Sequence, residues 1–309
     1  MRVAVIDIGN NSVRIFIAQV FKDGFKPLYK QSCITRIGQH VRDGGFISQG
    51  ATERTVKVID GMIRMARVYG VDQINCIATS PLRDARNAQD FIDICKNRFN
   101  ITVDILSGQQ EAALSYLGAV GLTSNSKKHT IIDIGGGSTE IVFGKGSNIL
   151  MADSYNVGAV KLTETFKPSY PVDQSIISEM KRYLDGIFAN IEKYDIIDCA
   201  CIGVGGTVVS LAALDQGLTV YDSRLINDYR LTVGRVAELS LYLFNTTLEQ
   251  KQAIKIIQKK RADIIAQGTF ILRYLMERLN ISSLVTRDQD SLEGYIIKNY
   301  IMVSNIEQY

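Results

Sequence analysis

The chain opens on an apolar run, Val3-Ala-Val-Ile6, that meets Asp7, passes through Gly, Asn and Ser, and resumes alternating apolar positions at Val13, Ile15 and Ile17. This pattern predicts a strand, a tight turn and a second strand. It recurs at an offset of 126 residues: Val5–Ile17 reads VIDIGNNSVRIFI and Ile131–Phe143 reads IIDIGGGSTEIVF. One supersecondary unit is present twice. After the first copy the periodicity predicts a strand over 27–35, a helix from the N-capping Ser48 to Tyr69, a strand over 74–79, a helix over 88–98, a strand over 102–106 and a helix over 110–120. From His129 the series restarts: hairpin 130–145, strand 149–156, helices 159–166 and 173–193, strand 196–203 and helix 207–215. Helices then fill 232–280, before a short strand over 283–286 and a closing helix over 291–304. Strands alternating with helices imply parallel strands joined by crossover helices, an α/β fold.

No Pro/Gly/Ser-rich linker marks the midpoint. The segment TSNSKK, 123–128, is the best boundary, and a short hinge of this kind suits two lobes closing on one ligand. The domains expected are therefore 1–124, with the C-terminal helix at about 291–309 packing back on it, and 125–290.

With 309 residues and 46% hydrophobic positions the chain is long enough for two buried cores. The 35 basic and 32 acidic residues leave a net charge of only +3, which gives no argument for nucleic acid. No apolar run approaches the roughly 18 residues of a membrane span, and the N-terminus lacks the apolar region of a signal peptide. A cytoplasmic protein without a membrane partner is expected. The 5 cysteines form no C-x-x-C pair, and four of them lie in apolar surroundings, as small buried hydrophobes do. His40 and His129 stand apart, so neither a histidine metal site nor a Ser-His-Asp triad is expected.

The chemistry lies in the turns. Gly, Asn and Ser between strands let backbone N–H groups converge on an anion, because glycine removes the Cβ that blocks close approach. Gly9, Asn10, Asn11 and Ser12 would supply donors in the first copy, and Gly135, Gly136, Gly137, Ser138 and Thr139 in the second. Asp7 and Asp133, at the heads of these turns, suit a hard cation such as Mg2+. A third glycine segment, Gly203-Val-Gly205-Gly206-Thr207, opens a helix whose dipole also favours an anion. No P-loop sequence occurs.

Taken together, these elements resemble the actin/Hsp70/sugar-kinase superfamily, and within it the exopolyphosphatase/guanosine pentaphosphate phosphatase (Ppx/GppA) family in its short two-domain form. The resemblance is carried by DIGNNSVR, TRIGQHVRDGGFIS, ATSPLRDARNAQDF, SGQQEAALSYLGAV, DIGGGSTEIVFG, GVGGTVVSLAAL and RADIIAQGTFIL, in order along nearly the whole chain. It implies two ribonuclease-H-like (actin-like ATPase) domains with the active site in the cleft between them. It also implies a role for each matching residue. Glu111 corresponds to the carboxylate that activates the attacking water. Asp133 and Glu140 correspond to carboxylates that hold Mg2+ and orient that water, and Gly135 to a backbone phosphate contact. Asn11, Ser12, Ser138 and Thr139 match a phosphate channel, and Arg83 an arginine on substrate phosphates. Gly205, Gly206 and Thr207 form the remaining glycine loop; Asp7 is expected as a metal ligand by its place at the head of the first turn, alongside Asp133 and Glu140. Three carboxylates near a phosphate repel one another, so a divalent cation or a raised carboxyl pKa is required.

The expected activity is Mg2+-dependent release of orthophosphate from the end of inorganic polyphosphate, with K+ as an optional activator and a homodimer as the assembly. Guanosine pentaphosphate, converted to the tetraphosphate, is the alternative substrate. A non-catalytic alarmone or nucleotide sensor, or a kinase of the superfamily, completes the alternatives. The sensor is motivated by a departure: where the family runs Ser-Asp-x-Gly-Leu-Arg-x-Gly, residues 287–294 read RDQDSLEG. Two further stretches carry expectations. Lys251, Lys255 and Lys259 recur at helical spacing, as a solvated face or a rail for a polyanion. The apolar segment FILRYLMERL, 270–279, is expected in the core.

Overall fold

The computed structural model describes residues 1–41, 45–121, 127–194, 196 and 198–302. The chain forms two compact units, Met1–Leu122 with Gln289–Tyr309, and Thr123–Asp288. Residues 123–126 of the expected boundary segment lie outside the described residues.

In the first unit β1 (Arg2–Ile8), β2 (Ser12–Phe21) and β3 (Gly24–Ile34) form an antiparallel meander. There follow α1 (Gln49–Val68), β4 (Gln73–Ala78), α2 (Ser80–Asp84), α3 (Ala88–Phe99), β5 (Val103–Ile105) and α4 (Gly108–Val120). Strand order is β3-β2-β1-β4-β5, with β4 and β5 parallel to β1. Alternate residues of a strand face opposite sides, and here both sides are covered. Ala4, Ile6 and Ile8 pack with Ile59 and Met62 of α1 and Phe91 of α3. Val3 and Val5 pack with Leu114 and Leu117 of α4 and with Leu292 and Ile296 of the closing helix Ser291–Ile296. Burial on both faces explains why β1 reads as a continuous apolar run instead of an alternation. Asp7 interrupts that run on the side of α4 and the closing helix.

The second unit repeats the plan: β6 (Lys128–Ile134), β7 (Thr139–Lys145) and β8 (Asn148–Tyr155) form its meander. It continues with α5 (Ala159–Phe166), α6 (Gln174–Ile187), β9 (Ala200–Val204), α7 (Gly205–Asp215), α8 (Ser223–Ile226), β10 (Arg230–Thr232), α9 (Val233–Asn245), α10 (Leu248–Ala253), α11 (Ile265–Arg278) and β11 (Ser283–Thr286). Strand order is β10-β11-β9-β6-β7-β8. Ile132, Ile134 and Ile141 join Leu211 of α7, Leu243 of α9 and Phe270 and Leu275 of α11 in one core. The apolar segment 270–279 is core, as its composition predicts.

The lysine stripe is corrected. Helix α10 ends at Ala253, its C-cap Ile254 is extended, and Lys259 lies in a separate 3-10 turn, so the three lysines share no helix face. Lys251 is fully buried. Its Nζ sits 2.9 Å from the Tyr170 ring centroid and donates to the Leu243 carbonyl at 3.3 Å. Three regular elements escape the pattern altogether, α2, α8 and β10, being too short to show a period. Strand β9 begins at Ala200, later than the apolar run from Ile196 suggests. Among the described residues no helix is long and apolar enough to cross a membrane.

Candidate active-site elements

The two hairpin turns are built alike. Gly9 N–H donates to the Ser12 carbonyl at 3.0 Å, and Gly135 N–H to the Ser138 carbonyl at 3.0 Å. Each turn is anchored from behind by its carbonyls. The Asn10 carbonyl accepts from Gly38 N–H at 3.1 Å, and the Asn11 carbonyl from Thr35 and Arg36 N–H at 3.1 and 2.9 Å. In the second unit the Gly135 carbonyl accepts from Ala159 N–H at 3.0 Å and the Gly136 carbonyl from Val160 and Lys161 N–H at 2.9 and 3.2 Å. A trans peptide points its N–H opposite its C=O, so the amides of Asn11, Gly136 and Gly137 point away from these anchors. Helix α5, which has no side-chain cap, satisfies its first N–H groups on the turn itself. Gly158 allows this approach, since a Cβ there would come within 2.6 Å of the Gly135 and Gly136 backbone.

The turns differ in charge. Asp133 stands directly opposite Glu140 in the β6–β7 ladder, and Glu140 is buried, accepting a 2.7 Å hydrogen bond from Ser154 Oγ. Like charges paired across strands repel. Carboxylate oxygens are hard ligands of the kind that hold Mg2+ as one or two carboxylates with phosphate and water, so this pair fits the metal. Gly205 belongs to the same cluster: its φ is +86°, and a Cβ there would lie 2.6 Å from Asp133 Oδ1.

At the matching first-copy position Asp7 stands opposite Arg14. Arg14 Nε donates to Asp7 Oδ2 at 3.1 Å, and its Nη groups reach Asp7, Asp290 and Ser291 Oγ, the last at 3.0 Å. Asp7 is only 2% exposed. Burial pushes its carboxyl above the ordinary carboxylate range, against the pull of Arg14. Asp7 already has a cationic partner within its own unit, so the metal fit rests on Asp133 and Glu140. Among the described residues no group of three or more acidic, histidine or cysteine side chains is placed to hold a metal ion.

Glu111 lies in the first turn of α4, behind a capping box of Ser107 and Gln110, where the helix dipole favours a carboxylate. The structure brings it to Arg83, at the end of α2: Arg83 Nη1 donates to Glu111 Oε2 at 3.2 Å and to the Leu106 carbonyl at 2.7 Å. Not every predicted donor is available. Thr139 is buried, with its hydroxyl donating to the Val157 carbonyl at 2.7 Å, and Thr207 packs against Gly268 of α11. Gly206 lies under the Arg261 guanidinium, which donates to its carbonyl at 2.6 Å. Asn10 and Asn11 are buried beside the segment 35–38.

Sequence reasoning missed Arg14, Ser154 and Asp290. Arg14 was within reach of the repeat, since 14 and 140 stand at the same offset as 7 and 133. Ser154 depends on β7–β8 register, for which the sequence carries no signal. Asp290 falls inside the departure at 287–294, where it caps the closing helix in a box with Glu293. Arg287, in the same segment, pairs with Asp228 at 2.6 Å.

Comparison with known proteins identifies relatives of the chain. The model of the Ppx/GppA phosphatase family matches residues 16–300. The chain is 31% identical over 308 residues to the bifunctional 3-dehydroquinate synthase/phosphatase of Fusobacterium nucleatum, covering 96% of this chain but 46% of that relative's length. It is 29% identical to exopolyphosphatase 2 of Mycobacterium tuberculosis, covering 95% of this chain and 97% of that one. Among solved structures, the Aquifex aeolicus Ppx/GppA family member superposes with a TM-score of 0.82 at 28% identity, over 100% of this chain and 98% of that one.

Proposed function

The chain belongs to the Ppx/GppA phosphatase family, and from that premise we propose that it is an exopolyphosphatase, hydrolysing the terminal phosphoanhydride of inorganic polyphosphate with Mg2+ to release orthophosphate. The observation that carries the reading is the pair of like-built turns, one in each unit, each with its carbonyls tied back. A substrate made of repeated phosphates suits a chain that offers repeated anion turns. The exopolyphosphatase 2 relative, matched nearly end to end, supports the same choice.

The chemistry assigned to this chain is positional and electrostatic. Glu111 accepts a proton from the attacking water as the new P–O bond forms and the bridging P–O bond breaks, leaving orthophosphate and a chain one unit shorter. Arg83 steadies Glu111 and offers its remaining donors to phosphate. Amides of Gly136 and Gly137 hold phosphoryl oxygens in the second unit, and that of Asn11 does so in the first. Asp133 and Glu140 would hold Mg2+, which when bound supplies positive charge against the phosphoryl oxygens.

The test is phosphate release with Mg2+ from long-chain polyphosphate and, separately, from guanosine pentaphosphate, repeated with and without K+. Wild-type release from polyphosphate, reduced at least about 100-fold by Glu111→Gln as for loss of a general base, is the expected result. Faster turnover of guanosine pentaphosphate would replace the substrate assignment. Silence on both, with guanosine tetraphosphate binding by calorimetry, would make the chain a sensor.

A further inference from the structure

Residues 290–294 form a junction on which three parts of the first unit meet. The Asp290 side chain binds Arg14, which in turn holds Asp7 at the head of the first turn. Ser291 Oγ accepts from the same guanidinium at 3.0 Å. Glu293 accepts an ion pair from Lys30 of β3 at 2.8 Å and closes the capping box by accepting from Asp290 N–H at 3.0 Å. The third part is α4, the helix that carries Glu111. A Cβ on Gly118 of α4 would overlap the Asp290 carbonyl, and one on Gly294 would overlap the Leu114 carbonyl, so the two helices cross in backbone contact. Asp290, Asp7 and Glu293 are all at most 5% exposed. Arg14 is the shared cation of two buried carboxylates, and each carboxylate fixes where the guanidinium can stand for the other.

We propose that Asp290 is a positioning residue for anion binding: through Arg14 it places Asp7 and the first turn, and through its backbone it seats the helix of Glu111. The inference rests on the phosphatase reading for its ligand class. Its consequence runs opposite to simple charge arithmetic. Removing a negative charge beside a polyanion site strengthens binding if charge alone matters, whereas loss of a positioning group weakens it.

The experiment is calorimetric titration of the full chain with inorganic tripolyphosphate in EDTA, which keeps turnover out of the measurement. Wild type is compared with Asp290→Asn, which keeps size and capping ability, with Ser291→Ala, which leaves every charge in place, and with Arg14→Lys. Asp290→Asn is expected to bind about tenfold more weakly, the effect of one charge-assisted hydrogen bond. Ser291→Ala should move the same way by a smaller factor. In the Arg14→Lys background Asp290→Asn should add nothing further, because lysine cannot bridge both carboxylates. Equal or tighter binding by a folded Asp290→Asn overturns the proposal. Should that variant fail to fold, unchanged binding by Ser291→Ala overturns it. Phosphate release is assayed alongside. Loss of binding in the variants without turnover by wild type defeats only the exopolyphosphatase reading. Turnover by wild type with unaltered binding in the variants defeats only the positioning role, and no tripolyphosphate binding by wild type defeats both.

Discussion

Arg14 and Glu140 occupy equivalent positions in the two copies of one hairpin, and they give the copies opposite electrostatics. Opposite Asp7 the arginine supplies a built-in counter-ion; opposite Asp133 the glutamate adds a second negative charge. A cross-strand pair of like charges is destabilising, and Glu140 is buried. Glu140→Gln is therefore expected to raise the melting temperature slightly without divalent metal while losing the further rise that MgCl2 produces in wild type. Thermal melts with and without MgCl2 check both, and an equal Mg2+ response in the two proteins would remove Glu140 from the metal site. Lys251 poses a second problem of buried charge. Burial pushes its ammonium down to about 7, against the attraction of Asp263, from an ordinary value of 10.5. Between those values the unfolded chain binds the extra proton, so stability should rise with pH from about 7 toward the ordinary lysine range. Lys251→Met, which keeps the volume, should flatten that rise in urea titrations made at pH 7, 8 and 9.

At the scale of elements, what the sequence made legible follows from length and capping. Helix α1 starts after Ser48, whose side chain accepts from Ala51 N–H, as the N-cap predicts, whereas α4 starts after Ser107, at Gly108, two residues ahead of the expected start at Gln110. Both hairpins and their turns were readable because the apolar run, the Asp and the small-residue turn occur twice. The lysine stripe does not form because i, i+4 spacing implies a common face only within one helix, and α10 spans six residues, Leu248–Ala253. Of the site, Glu111 and the Asp133/Glu140 pair could be nominated from motifs. The bond from Arg83 to Glu111 and the Arg14 bridge could not, since both join residues far apart in sequence, by 28 and 276 positions. The crossing of α4 with the closing helix is likewise invisible until Gly118 and Gly294 are seen against opposing carbonyls. Gly118→Ala should cost about 1–3 kcal/mol through overpacking against backbone that cannot yield. Chemical denaturation would read this as a lowered midpoint with an unchanged m-value, and an unaltered midpoint would contradict the contact.

At the scale of the whole molecule, the chain leaves its first unit after Leu122 and returns to it at Gln289, so the first unit is completed by residues that follow the entire second one. The returning segment is a structural part of the first sheet. Leu292, Ile296, Ile297 and Ile301 are buried with Val3, Val5, Phe16, Leu114 and Leu117, covering the face that carries Asp7 and Arg14. At about 1.5–3 kcal/mol for each buried apolar side chain, these four contribute an amount comparable to the whole stability of a domain, about 5–15 kcal/mol. Removing 289–309 would also leave Arg14 without Asp290 and Lys30 without Glu293. The first unit of such a truncated chain is expected to lose its cooperative unfolding transition and to bind the dye ANS. The second unit keeps its own sheet and its core around Phe270 and Leu275, so a transition belonging to residues 127–288 should survive. Calorimetric melting with dye fluorescence separates the two, and a truncated chain that melts like the full one would show that the first sheet needs no closing helix.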